Sequence, residues 1–86
     1  MKTDLTEHPN IGEELEKVLV KAGIRSFREL KSLGYEKVFL RIRAVEPDAC
    51  LSKLQAIAGA IEGVRWHNLS VGKKQELKEF FRMLEK

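Results

Sequence analysis

The chain has 86 residues, of which 43% are hydrophobic and 34% are charged, and its formal net charge is +3. This length allows one domain with a modest core, and this balance of apolar and charged residues excludes both a disordered tail and a membrane protein. The first residues do not have the pattern of a signal peptide, and one cysteine, Cys50, cannot form an intrachain disulfide. We therefore expect a cytoplasmic protein with one domain over residues 1–86, in which residues 1–8 form a flexible lead-in.

Charge is unevenly distributed along the chain. Residues 1–16 contain one lysine and five acidic residues, whereas residues 17–53 contain nine basic and four acidic residues. Two interpretations stay open at this point. The pattern is typical of an ordinary mixed, solvated surface, and it is also typical of a basic face that meets an acidic partner.

Caps and hydrophobic periodicity predict a compact all-α domain of five helices, with no run that alternates as a strand does. The first helix follows Pro9, has Asn10 as its N-cap and ends at Gly23. The second begins at the Ser26 cap and is closed by Gly34, and the third runs from about residue 35 to residue 45.

The fourth predicted helix is the most apolar, and we expect it to be the most buried element of the fold. It runs from an Asp48 cap to residue 62, with Leu54 in the core and with a run of small residues, Ala58-Gly59-Ala60, where another backbone can approach closely. The fifth helix runs from a Ser70 cap to about residue 84 and places its large apolar residues on one face.

No group of residues predicts catalysis. Cys50 falls in the first turn of the apolar fourth helix, where we expect a small buried hydrophobe, and His67 is expected to be an ordinary loop histidine. Gly72 and Lys73 do not complete a phosphate-binding loop, because the first glycine of that motif would fall on His67. One cysteine and two histidines offer no metal-ligand spacing. We predict no enzymatic activity, no metal or other cofactor, and no small-molecule substrate.

Several short strings occur in a fixed order along the chain. They are Pro9-Asn10-Ile11-Gly12, Ala22-Gly23-Ile24, Leu40-Arg41-Ile42-Arg43-Ala44, Ala60-Ile61-Glu62-Gly63-Val64-Arg65-Trp66 and Lys78-Glu79-Phe80-Phe81. In this order and spacing, over about residues 8–84, the chain resembles the TfoX (Sxy) C-terminal domain family. The resemblance implies a helix-hairpin-helix-like all-α domain that is related to competence regulators. Those regulators usually carry a further N-terminal domain, which we do not expect in a chain of this length.

Helix-hairpin-helix motifs hold a DNA phosphate with backbone amides that follow a PGIG-like turn. The turn over residues 9–12 is similar, but Glu13, Glu14 and Glu16 follow it and would repel a phosphate. We therefore interpret this turn as structural.

Two other helix starts are better suited to anions. Ser26 lies between Arg25 and Arg28, and Ser70 is followed by Lys73 and Lys74. Because free amides and cationic side chains meet at such a start, we expect the Ser26 start to lead in any contact with phosphate.

Two hypotheses about function follow from these observations. The first is a protein–protein or self-association module that uses exposed apolar surface. Its candidate residues are Val20, Leu40, Val64 and Trp66. For Trp66, a place at the edge of the core is the favoured interpretation, and a role in binding stays open beside it. The second is a weak, non-specific DNA-binding module that uses a basic face. Its candidate residues are Arg25, Arg28, Lys31, Lys37 and Arg41.

Overall fold

The computed structural model describes residues 3–85, and within this range the chain is all-α, as predicted. The helices are α1 (Glu13–Lys21), α2 (Phe27–Val45), α3 (Leu51–Glu62) and α4 (Val71–Leu84), with 3₁₀ turns at Leu5–Glu7 and Trp66–Asn68. The Cα radius of gyration is 11.8 Å. A compact chain of this length is expected to have about 12 Å. None of the helices in this range is long and apolar enough to cross a membrane.

The structure has four α-helices rather than the predicted five, because the second and third predicted helices are the two halves of α2, but the predicted break between them at Gly34 is present as a kink. Ser26 caps this helix as expected, with its side-chain oxygen accepting a hydrogen bond from the Glu29 amide. Gly34 lies inside α2 with φ 85° and ψ 159°, a conformation that glycine adopts without strain. Since the change of direction takes place at this one residue, no loop separates the two parts of α2.

The prediction that the apolar helix lies at the centre of the fold is confirmed. α3 packs against α2, α4 and the Trp66–Asn68 turn, and both Leu54 and Ile57 are fully buried. The predicted cap is wrong, since α3 begins at Leu51 and its N-cap is Cys50 rather than Asp48. The chain makes an extra turn after Pro47, in which the Ala49 amide donates to the Glu46 carbonyl, and this turn delays the helix.

The N-terminal segment that the sequence analysis treats as a flexible lead-in packs onto the domain over residues 3–8. Leu5 is fully buried in the core, and the Thr3 amide and hydroxyl both donate to the Glu16 carboxylate. The His8 ring stacks on Phe27, with ring centroids 3.5 Å apart. Residues 1 and 2, which belong to the same predicted segment, lie outside the described residues.

Arg43 joins the second half of α2 to the rest of the domain. Its guanidinium donates to the Ala49 carbonyl (3.0 Å) and to the Glu85 carboxylate (2.7 Å). The same group lies 5.5 Å from the centre of the Phe81 ring, within the range of a cation–π contact. The arginine therefore fixes the position of α2 relative to the end of α4.

Candidate interaction surfaces

The turn that carries Trp66 is held by the side chain of Asn10. The Asn10 amide nitrogen donates to the carbonyls of Val64 (2.9 Å) and Ala56 (3.3 Å), and its oxygen accepts from the Trp66 amide (3.1 Å). Asn10 has φ 69°, a left-handed conformation that asparagine tolerates better than most residues. These three bonds, which we call the Asn10 latch, connect segments 46 to 56 residues apart in sequence.

The role of Asn10 differs from the predicted one. Asn10 is not the N-cap of α1, because that position is occupied by Gly12. The structural interpretation of the turn at residues 9–12 agrees with the bonds that Asn10 makes.

Gly59 leaves the space that the Asn10 latch occupies. A Cβ atom at this position would lie 2.6 Å from the Asn10 amide nitrogen, 2.9 Å from the Val64 carbonyl oxygen and 3.2 Å from the Trp66 Cα. The two shorter distances do not occur between real atoms of these types, so any side chain here would displace the latch. The close approach that the sequence predicts at Gly59 is therefore confirmed.

The side chain of Trp66 remains largely outside the core although its backbone is fixed. It is 46% exposed, and its ring meets that of His67 edge-on with centroids 5.5 Å apart. Of the other predicted interface residues, Val64 packs partly buried against the core, next to this turn. Leu40 is 49% exposed on α2, and Val20 is half-buried on α1. The structure thus places Val64 beside Trp66 and the other two on separate helices.

The predicted basic residues are brought together only in part. Arg28 and Arg41 line one shallow hollow on α2, together with Glu29, Ser32 and Leu33. We call this feature the arginine hollow. The Arg41 guanidinium also lies near Gly23, 3.9 Å from the point where a Cβ of that residue would be. Arg25, Lys31 and Lys37 are exposed but do not line the hollow.

The backbone amides at the start of α2 do not have the freedom that the sequence analysis expects. The Phe27 amide donates to the Asp4 carboxylate (2.9 Å), and the Glu29 amide donates to Ser26 (3.2 Å). The Arg25 amide donates to the Glu29 carboxylate (3.0 Å). An anion at this helix start would have to displace these acceptors, so the cationic side chains are the remaining attraction.

At the start of α4, the lysines are engaged within the domain. Lys73 lies 3.5 Å from the Glu76 carboxylate and 3.8 Å from that of Glu62. Lys74 donates to the carbonyl of His67 (3.0 Å). This second predicted anion site therefore has less free positive charge than the sequence suggests.

The expectation that Cys50 is buried is wrong. The thiol is exposed at the N-cap of α3, and the Lys53 backbone amide that faces it lowers its pKa below the ordinary value. Because the helix starts later than predicted, Ala49 takes the buried place instead. Within the described residues, no three histidine, cysteine or acidic side chains are grouped as metal ligands.

The fold and these surfaces define a small helical domain whose most distinctive features are a fixed turn with an exposed tryptophan and a pair of neighbouring arginines. The chain matches the family model of the TfoX C-terminal domain over residues 1–81, and it belongs to that family.

One curated relative is Protein Sxy from Escherichia coli (strain K12), which is 34% identical to the chain over 76 residues. The match covers 88% of this chain and 36% of the relative, so the chain spans about a third of that protein's length.

Two crystal structures of Listeria monocytogenes proteins have the same fold. An uncharacterized protein in a triclinic form is 49% identical, with a TM-score of 0.92 over 94% of this chain and 92% of the other. A protein of unknown function in a tetragonal form is 48% identical, with a TM-score of 0.90 over 92% of this chain and 98% of the other. These likenesses support the fold and name no activity.

Proposed function

We propose that the chain is a non-enzymatic regulatory interaction domain that binds a protein partner, either another protein or a second copy of itself, through the surface around Trp66. Membership of the TfoX C-terminal domain family and the likeness to Sxy support a competence-regulator-like role. A cytoplasmic location and a helix-hairpin-helix-like arrangement, both expected from the sequence, are part of this proposal.

The observation that carries the proposal is the combination of an exposed ring and a fixed backbone at Trp66. Tryptophan is enriched among the residues that dominate binding energy at protein interfaces, because it buries a large area on contact. Here the Asn10 latch holds the Trp66 amide, so little backbone freedom is left to lose when a partner binds. The arrangement is that of a pre-organised anchor.

Site-specific photo-crosslinking tests this proposal. The residue p-benzoylphenylalanine is placed at position 65, next to an intact Trp66, in one variant and at position 71 in a control, since Arg65 and Val71 are both exposed but Val71 lies on α4. On irradiation in the native cell, we expect a discrete protein adduct from position 65 that the control lacks. Mass spectrometry then distinguishes a second copy from another protein. An equal pattern from both positions would contradict the proposal.

A second candidate function is weak, non-specific binding of DNA, and the arginine hollow favours it. Two guanidinium groups on one concave surface suit a phosphate, because each presents a planar fork of donors. Non-specific contacts of this type give a Kd of roughly 10⁻⁴–10⁻⁶ M at physiological salt. Fluorescence anisotropy on a short duplex, titrated with salt, tests it. If DNA is bound through its phosphates, the affinity falls steeply as the salt concentration rises. If no binding is seen at low salt, this candidate function is excluded.

A further inference from the structure

The two arginines of the arginine hollow make no ion pair within residues 3–85. The ion pairs found there engage Arg43, Lys53 and Lys73, and neither Arg28 nor Arg41 takes part in one. Two guanidinium groups that line one hollow repel each other, and an anion between them relieves this repulsion.

The carboxylate closest in sequence to Arg28 already accepts a hydrogen bond from another part of the chain. Glu29 lines the hollow, but its Oε1 atom accepts a hydrogen bond from the Arg25 backbone amide. Ser32 follows Arg28 by one helical turn and therefore shares its face of α2, where its hydroxyl adds a neutral donor to the lining. The hollow thus combines two cations and one hydroxyl with the single carboxylate of Glu29, which leaves it a net charge of +1.

We propose that the arginine hollow holds one backbone phosphodiester of a nucleic acid, with Arg28 and Arg41 on either side of the phosphate and Ser32 beside it. The inference rests on the second candidate function and names its contact site. Arginine matches phosphate oxygens with paired, charge-assisted hydrogen bonds.

A polymeric ligand fits better than an isolated phosphate. The hollow is shallow and open, so a chain can enter and leave it on both sides. Arg25, Lys31 and Lys37 are exposed on or next to the same helix and extend the positive charge beyond a single phosphate. Arg28 lies in the first turn of α2, but Asp4 and Ser26 already accept hydrogen bonds from backbone amides there, so side chains make the contact.

The experiment measures the affinity of the full chain for a fluorescent DNA duplex at several salt concentrations. The variants are Arg28→Gln, Arg41→Gln and the two combined. The matched control is Lys78→Gln combined with Arg82→Gln, which removes the same charge as the double variant from two exposed positions on α4. Each neutralised phosphate contributes ~0.9 to the slope of log K against log salt. We expect the double variant to lower the slope by about 1 and the affinity at low salt by about tenfold, while the control leaves both unchanged.

Circular dichroism melting of each variant confirms that it is folded. If the double variant does not fold, the two single variants replace it, and each is expected to lose less affinity than the double variant would. Binding by the parent with an unchanged slope in the folded Arg28 and Arg41 variants would overturn the assignment of the hollow and leave the candidate function standing. No binding by the parent at roughly 50 mM salt would overturn both. Displacement of the duplex by inorganic phosphate at concentrations where chloride has no effect would identify a site for isolated phosphate and overturn the polymeric assignment.

Discussion

The turn that carries Trp66 and the arginine hollow are both exposed, but they are built in opposite ways. The Asn10 latch fixes the first through three hydrogen bonds to distant backbone groups. The second consists of two long side chains that make no ion pair within the described part of the chain. The first surface therefore depends on the stability of the fold for its shape. The arginine hollow supplies positive charge and contributes little to the stability of the fold.

The largest effect is expected from the core helix α3, which packs against the turn that carries Trp66. Leu54 is fully buried in α3, so Leu54→Ala should lower the free energy of unfolding by about 2–5 kcal/mol. Chemical denaturation measures this loss. A variant as stable as the parent would mean that Leu54 does not lie in the core.

Gly59→Ala attacks the fixed turn directly. Its new methyl group would meet the Asn10 amide nitrogen and the Val64 carbonyl, so we expect a loss of about 3 kcal/mol as the latch is displaced. Gly72→Ala is the matched control, because a Cβ there meets nothing within 4 Å. In that helical position alanine should stabilise by up to about 1 kcal/mol. The same sign of change in both variants would contradict the close approach at Gly59.

Asn10→Gly removes the hydrogen bonds of the latch and keeps the left-handed backbone conformation accessible. We expect a loss of about 2 kcal/mol, because the Val64 carbonyl and the Trp66 amide lose their partner. Thermal melting checks it against Asn68→Ala, a change at an exposed asparagine of the same turn. Equal stability of the two variants would show that the latch contributes nothing.

The smallest effect is expected in the arginine hollow. Arg28→Gln and Arg41→Gln should each change the free energy of unfolding by less than about 0.5 kcal/mol, because both side chains are exposed and neither is ion-paired in residues 3–85. Urea denaturation of the two variants measures this. A loss comparable to that of Asn10→Gly would show that these arginines serve the fold.

Local patterns were enough to predict the helical fold and its core. The capping residues Ser26 and Ser70 and the central position of Leu54 follow from spacing alone, since each depends on neighbours within one or two turns. The prediction that Cys50 is buried fails because α3 begins at Leu51, after an extra turn at Pro47. The local hydrophobic pattern does not indicate this turn.

For the candidate surfaces, the sequence predicts which types of residue take part but not which of them lie together. Trp66 and the two arginines stand out in the sequence, but the partner of the Trp66 amide is 56 residues away, and no local rule connects them. The pairing of Arg28 with Arg41 depends on the direction that α2 takes at Gly34, a residue expected to end one helix before another begins. Which of these residues lie together therefore depends on contacts between distant parts of the chain, which local sequence patterns do not predict.

Hydrogen exchange of the Trp66 backbone amide tests most directly the claim that this turn is held rigid for binding. NMR measures its exchange in the parent and in Asn10→Gly, with the amide of Ala58, a buried residue in the middle of α3, as the reference. We predict that the Trp66 amide is protected in the parent and that, relative to Ala58, the variant loses about tenfold of this protection, as expected for a lost hydrogen bond. An unprotected Trp66 amide in the parent, or equal protection in both proteins, would contradict the account.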